Sequence, residues 1–411
     1  MNLSCILDFK HTFQPAQEPA LPQQTAPIAP DDEHYWDSIR ARYAPSPDFI
    51  NLENGYFGLP AIPVQEAFRR YQEQVDRENS YFMRVRFPER LERVMAALAA
   101  FTGAGRDELL ITRNAMESLN ILIQGYPFAA GDVVLLARHD YDSVIDTFGM
   151  LAQRKALELA TIDVPLDPTS DDAIVALYER AITQRTRLLL VTHVVHRTGQ
   201  IMPVAKIAAM ARGRGIDVIV DAAHSLAHID YMVPELGTEF AAFNLHKWVG
   251  APLGTGLLYI ARNRIADIAP LFGDIGHAPG DMAKLGHFSA IPPAPILAVE
   301  DALRFHEAIG TRNKEARLRY LAGYWMDRVR GIEGVRLFTP RDACRHGALA
   351  SFGIDGIPAR TVAARLMDEH RIFTVVRGIG DEECVRVTPH LYTAPADLDA
   401  LVAAIRALAS R

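Results

Sequence analysis

An apolar run and the strand-like run after it lead into residues that ionise. Val218-Ile219-Val220 leads into Asp221, and Phe243-Asn244-Leu245-His246 leads into Lys247. A carboxylate at the tip of a buried strand is costly without a partner. Taken alone, Asp221 fits a helix N-cap or a structural ion pair equally well. Lys247 alone could extend its ammonium outward to water. Buried, it would lose basicity and become an amine nucleophile, which is what a Schiff-base lysine must be. Together the two suit one flat, electron-withdrawing ring. The carboxylate keeps a pyridine nitrogen protonated while the amine joins an aldehyde carbon, and pyridoxal 5′-phosphate (PLP) is the cofactor with both requirements. Gly254-Thr255-Gly256 then gives a flexible turn before the next strand.

Such residues need elements that bring them together. Short β-branched runs at 109–112, 133–137, 188–192, 218–221, 240–243 and 256–260 alternate with helical patterns at 115–124, 142–155, 171–184 and 204–214. Helices are also expected at 64–79 and 87–102. Apolar strands without polar alternation, separated by helices, predict an α/β fold with a mostly parallel sheet covered on both faces. Ligands of such sheets bind beyond the carboxyl ends of the strands. That rule gathers Asn114, Tyr141, His193 to Thr198, Asp221 to His224 and Asn244 to Lys247 into one region.

After Pro292, Pro293 and Pro295 the pattern changes. Helices near 296–309, 314–330, 359–369 and 395–408 mix with strand-like runs at 335–338, 348–354, 372–377 and 385–388. We expect a flexible Pro/Ala/Gln-rich leader over residues 1–30 and a segment, 31–60, packing near the smaller domain. A large domain over 61–295 and a smaller α+β domain over 296–411 complete the organisation, as the length of 411 residues favours.

Composition narrows the function classes. Hydrophobic residues make up 49% and charged residues 23%, with a formal net charge of −7 and no Lys/Arg-rich stripe to fit a nucleic acid. No apolar run approaches the roughly 18 residues of a membrane span. The three cysteines, Cys5, Cys344 and Cys384, are scattered, so neither a disulfide framework nor a zinc knuckle is expected. Residues 1–9 lack a basic n-region and a twin arginine, and a cytoplasmic location fits best, with a shortened export leader as the other option. The histidines at 193, 196, 224, 228 and 246 show no helical HExxH, and His193 and His196 sit on an extended run into a loop, so no metal is expected. Gly213-Arg214-Gly215 precedes a strand, whereas a dinucleotide-binding fingerprint follows one.

Asp221-Ala222-Ala223-His224, then Asn244-Leu245-His246-Lys247 and Pro252-Leu253-Gly254-Thr255-Gly256, resemble class V aminotransferases of PLP fold type I. Within that superfamily the chain looks most like the isopenicillin N epimerase-like group, whose substrate loop resembles Leu52-Glu53-Asn54-Gly55-Tyr56-Phe57-Gly58. The resemblance runs from about residue 48 to the end and implies a homodimer. It places Asn114, Ala115 and Met116 at a phosphate-holding helix start, a role the free N–H groups there also suit. It further implies that Tyr141 stacks on the cofactor, that Asn244 and His246 bind phosphate, and that His224 lies near the phenolic oxygen or phosphate. Asn54 and Tyr56 would meet substrate, and Arg386 would take its α-carboxylate, which a guanidinium fork suits. Two positions depart from the pattern. His196 stands where relatives have a small polar residue or Asn at the cofactor, and His287 stands where a Gly-Thr pair reaches the neighbouring subunit's phosphate.

The expected reaction is removal of the α-proton of an amino acid, or of a metabolite containing one, joined to PLP. Lys247 is the natural base. Returning the proton to the cofactor's C4′ makes a transaminase, and returning it to the opposite face of Cα makes an epimerase. Expelling a side-chain substituent makes a C–S or other β-lyase, the alternative reading. A desulfurase needs a cysteine on a mobile loop, and Val376 to Asp381 has none. A catalytically silent scaffold is disfavoured by the joint presence of Asp221, Lys247 and Arg386.

Overall fold

The computed structural model describes residues 27–410 except 274, 275 and 289, so residues 1–26 of the expected leader lie outside the described residues. Seven strands form the main sheet: β1 (Leu109–Thr112), β2 (Val133–Ala137), β3 (Glu158–Ile162), β4 (Thr186–Thr192), β5 (Asp217–Asp221), β6 (Phe240–Asn244) and β7 (Gly256–Ile260). Their order is β1-β7-β6-β5-β4-β2-β3. Only β7 runs against its neighbours, so the sheet is mostly parallel, as expected.

The absence of alternation in these strands has a direct cause. In β4, Leu189 and Val191 enter one core layer while Leu188 and Leu190 enter the other. β5 divides Val218 and Val220 from Ile219 in the same way. The helices Ala115–Gly125 and Asp142–Lys155 cover one face; Phe87–Thr102, Asp171–Ala181, Val204–Arg212 and Pro293–Ile309 cover the other. Both faces being apolar, each strand reads as a continuous hydrophobic run.

Periodicity misses β3. It is an edge strand, Glu-Leu-Ala-Thr-Ile, with no fully buried residue, and one side of it faces solvent. The helix expected from Ile296 begins instead at Pro293, because proline lacks only an N–H that a first turn leaves unpaired anyway.

A second sheet holds β8 (Val335–Leu337), β9 (Ala350–Ile354), β10 (Val375–Ile379) and β11 (Glu382–Val387) in the antiparallel order β10-β11-β9-β8. The helices Thr311–Val329, Ala359–His370 and Pro395–Ala409 share its core. The run expected as one strand over 372–377 is broken at Thr374. Ile372–Phe373 pairs in parallel with Ile50–Asn51, and β10 starts afresh at Val375. That short pairing carries residues 50–58 toward the ends of β5 and β6.

The loop then threads tightly past Lys247. The Gly58 N–H donates to the His246 carbonyl at 2.9 Å, and a Cβ on Gly58 would stand 2.1 Å from the Lys247 carbonyl oxygen. That obstacle is backbone, so it cannot swing away. Gly58→Ala should therefore lower stability by about 1–3 kcal/mol, the usual scale of overpacking. A urea midpoint equal to that of the wild type would show that the loop is not held here.

Candidate active site

A cavity of about 770 Å³ opens at the carboxyl ends of the parallel strands, where such sheets bind ligands. Asp221 ends β5, and Lys247 follows β6, the adjacent strand. Both side chains line the cavity. Lys247 Nζ lies 2.8 Å from His224 Nε2. Burial, helped by Arg386, lowers the lysine's pKa to about 7 against the pull of Asp221 and Glu53. Burial also keeps His224 neutral, well below its ordinary pKa. For Asp221, burial raises the pKa, while the Ala223 N–H (3.0 Å) and the Lys247 charge oppose the rise. A buried carboxylate with so little compensation favours a ligand bringing an N–H or a positive charge.

The other end of the cavity is built on the helix Ala115–Gly125. Asn114 is its N-cap, accepting the Glu117 N–H at 2.8 Å, and Asn244 Oδ1 accepts the Ala115 N–H at 2.8 Å. Met116 lies between those two donors and lines the cavity. A first-turn N–H group beside the positive end of a helix dipole is suited to an anion. Gly256, paired with Asn244 in β7, allows the approach: a Cβ there would lie 2.5 Å from the Asn114 Cα. The Nδ1 of His246 is 2.7 Å from the Thr255 carbonyl, so that nitrogen carries the proton. Burial holds the His246 pKa down at about 4.

Tyr141 caps the helix Asp142–Lys155, half-exposed, with its ring edge-on to His196 at 5.2 Å between centroids. Both line the cavity. The Nδ1 atoms of His196 and His224 are buried without a partner among the described residues, which suits a ligand carrying polar groups between them. Beneath them Asp140 accepts from the Thr192 hydroxyl (2.6 Å) and the Ala137 N–H (2.7 Å), and burial pushes its pKa up to about 7. Thr192 pairs with Asp221 across β4 and β5. Nothing in the sequence pattern points to Asp140 beyond its place before Tyr141.

The expected substrate residues divide. Tyr56 lines the cavity and is 70% exposed. Asn54 does not line it: its amide donates to the Thr388 carbonyl at 2.9 Å, and its oxygen accepts from the Tyr392 hydroxyl at 2.6 Å, so the side chain anchors the loop. Arg386 does line the cavity, buried, donating to the His196 carbonyl (2.8 Å) and to Glu53 (2.5 Å). Sequence reading did not single out Glu53 or Arg377. Arg377 sits on β10 beside β11, joins the cavity wall, and lies 4.0 Å from Glu53. The pairing Val375↔Arg386 puts its strand next to that of Arg386, a proximity visible only once the hairpin is in place. His287 is absent from the cavity wall, and among the described residues no group of three His, Cys, Asp or Glu could hold a metal ion.

The family described as Aminotransferase class-V matches residues 63–401. Isopenicillin N epimerase of Streptomyces clavuligerus is 27% identical over 390 residues, which cover 91% of this chain and 98% of that protein. Probable cysteine desulfurase 2 of Mycobacterium leprae (strain TN) is 29% identical over 300 residues, 68% of this chain and 69% of its own. Among solved structures, the apo cysteine desulfurase of Thermococcus onnurineus NA1 has the same fold, with a TM-score of 0.81 at 23% identity, covering 91% of this chain and 98% of that one.

The lowered basicity of Lys247 can be measured directly. With a pKa of about 7, its amine is protonated and inert below that pH and free above it. Addition of PLP to cofactor-free protein should accelerate about tenfold per pH unit on the acid side and level off above neutrality. A rate still climbing at about pH 9 would mark an amine of ordinary basicity.

Proposed function

The chain belongs to the class V aminotransferase family of PLP-dependent enzymes, and we propose that it removes the α-proton of an amino acid, either to transfer the amino group or to epimerise the carbon. One observation carries this reading. A buried lysine of lowered basicity, 2.8 Å from a neutral histidine, shares a cavity with a buried aspartate at the end of the neighbouring strand. PLP, when bound, supplies the electron sink that lets a Cα–H bond break.

Each wall residue then has a task. Asp221 supports the charge of the pyridine nitrogen. The first turn at Ala115 and Met116, with Asn114 and Asn244, would hold the phosphate, whose charge would also draw a proton onto His246 so that its Nε2 can donate, Nδ1 being committed to the Thr255 carbonyl. Tyr141 covers the ring, and His196 and His224 offer their unpartnered Nδ1 atoms to its polar substituents. Lys247 Nζ takes the α-proton, and its contact with His224 keeps the amine directed into the cavity. Arg386, already fixed by Glu53 and the His196 carbonyl, receives the substrate carboxylate through donors that remain.

A β-lyase or C–S lyase is the second reading, supported by the likeness to the Mycobacterium protein. A persulfide relay fits poorly. Cys384 is buried on β11 opposite Arg377, β10 and β11 meet in a tight turn at Gly380, and neither Cys344 nor Cys384 lines the cavity. The proposed assembly is a homodimer. In its support, Tyr56 and Leu253 line the cavity while 70% and 54% exposed, a rim that a second copy would cover. The proposed setting is the cytoplasm. Among the described residues no helix is long and apolar enough to cross a membrane.

Borohydride should fix PLP on Lys247 of the wild type and on nothing in Lys247→Ala; an adduct on another lysine would overturn the assignment. Incubation with single amino acids in deuterated water then separates the outcomes. Exchange at Cα with inversion marks an epimerase, a keto acid that keeps its side chain marks a transaminase, and a released side-chain fragment marks the lyase. Asp221→Asn should bind PLP yet turn over at least roughly a hundredfold more slowly, a few kcal/mol of transition-state stabilisation. Near-normal turnover would place the nitrogen's partner elsewhere.

A further inference from the structure

Among the described residues, Glu53 is the carboxylate that pairs with Arg386 and Arg377 at the substrate end. Its Oε1 accepts from Arg386 at 2.5 Å and from the Tyr56 N–H at 3.0 Å, and stands 4.0 Å from Arg377. Its Oε2 is buried with no partner among the described residues. The side chain is 7% exposed, against 2% for Arg386.

Neither partner is free to move away. Glu53 bridges to Thr388, its N–H donates to Asn51 Oδ1 at 3.0 Å, and Asn54 beside it is tied to Thr388 and Tyr392. The Gly55 backbone lies against the guanidinium, where a Cβ would come within 2.6 Å of an Arg386 nitrogen. Among the described residues, the substrate end thus sets one held anion, Glu53, between a held cation, Arg386, and a second, more exposed one, Arg377. A single carboxylate from a ligand balances that set. A second would have to approach Arg377 close to Glu53, and like charges so near repel.

We infer that Glu53 is a specificity-determining residue: a built-in carboxylate standing between Arg386 and Arg377, where a second acidic group of the substrate would otherwise be held. The site takes amino acids with one carboxylate and an uncharged or cationic side chain, and disfavours dicarboxylic ones. This rests on the proposed function, in which Arg386 reads the α-carboxylate.

The test uses ligands that cannot turn over. The PLP-loaded enzyme is titrated calorimetrically with propionate and with succinate. The wild type should bind succinate no more tightly than propionate. Glu53→Gln keeps the shape and removes the charge, and should tighten succinate at least tenfold relative to propionate. Adding Arg377→Gln to that variant should abolish the gain. A wild type that already prefers succinate tenfold would overturn the inference, as would a Glu53→Gln protein in which both affinities shift equally or not at all. In those cases propionate still binds, and the reading of Arg386 stands. If the wild type binds neither acid, the carboxylate role of Arg386 fails, and the inference with it.

Discussion

Removing an amine from water is the act on which this site depends. An ammonium buried beside Arg386 is unfavourable, so the proton of Lys247 is loosely held, and the fold makes a nucleophile by desolvation. Asp221 on the next strand end pulls the other way but is itself poorly compensated. The pair cannot settle into an ordinary buried salt bridge, because His224 rather than Asp221 contacts Nζ. Each group is left wanting a different part of the same ligand. A ring with a basic nitrogen at one edge and an aldehyde at another would satisfy both.

The rest of the architecture serves to keep water and competing partners away from that pair. The continuous apolar strands give the sheet two dry faces and place the strand ends rigidly, so the carboxylate and amine arrive at fixed positions. Helix Ala115–Gly125 brings its dipole to the far side, and the glycine at 256 lets it come close. The substrate end is assembled differently, from a loop near the start of the chain and a hairpin near its end.

That division explains what was legible in the sequence. The main sheet could be read because burial on both faces writes itself as hydrophobic runs, and because the strand-end rule turns positions 221 and 247 into neighbours. β3 escaped because an edge strand with mixed exposure leaves no such run. Thr374 escaped because one residue breaking a β-rich stretch looks like any other strand residue, while the break is imposed by a partner at Ile50–Asn51. Asn54 illustrates a different limit. Its place in a motif was visible, but only the Thr388 carbonyl and the Tyr392 hydroxyl reveal that its hydrogen bonds are already spoken for. Glu53 and Arg377 were missed for the same reason, since their partnership is made across nearly the whole chain.

The parallel pairing of Ile50–Asn51 with Ile372–Phe373 also bears on how the protein is made. A ribosome delivers Lys247 and Asp221 well before residues 372–388 exist. Until then the loop carrying Glu53 has no strand to dock on, and the mouth of the site has no arginine wall. The large sheet can collapse early, while contacts between the two ends of the chain carry the highest loop-closure entropy and form late. Catalytic competence is thus a property of the finished polypeptide alone. A nascent or C-terminally truncated chain would leave Lys247 in an open cleft without Arg386, so its amine would keep its proton and lack the nucleophilicity that burial confers.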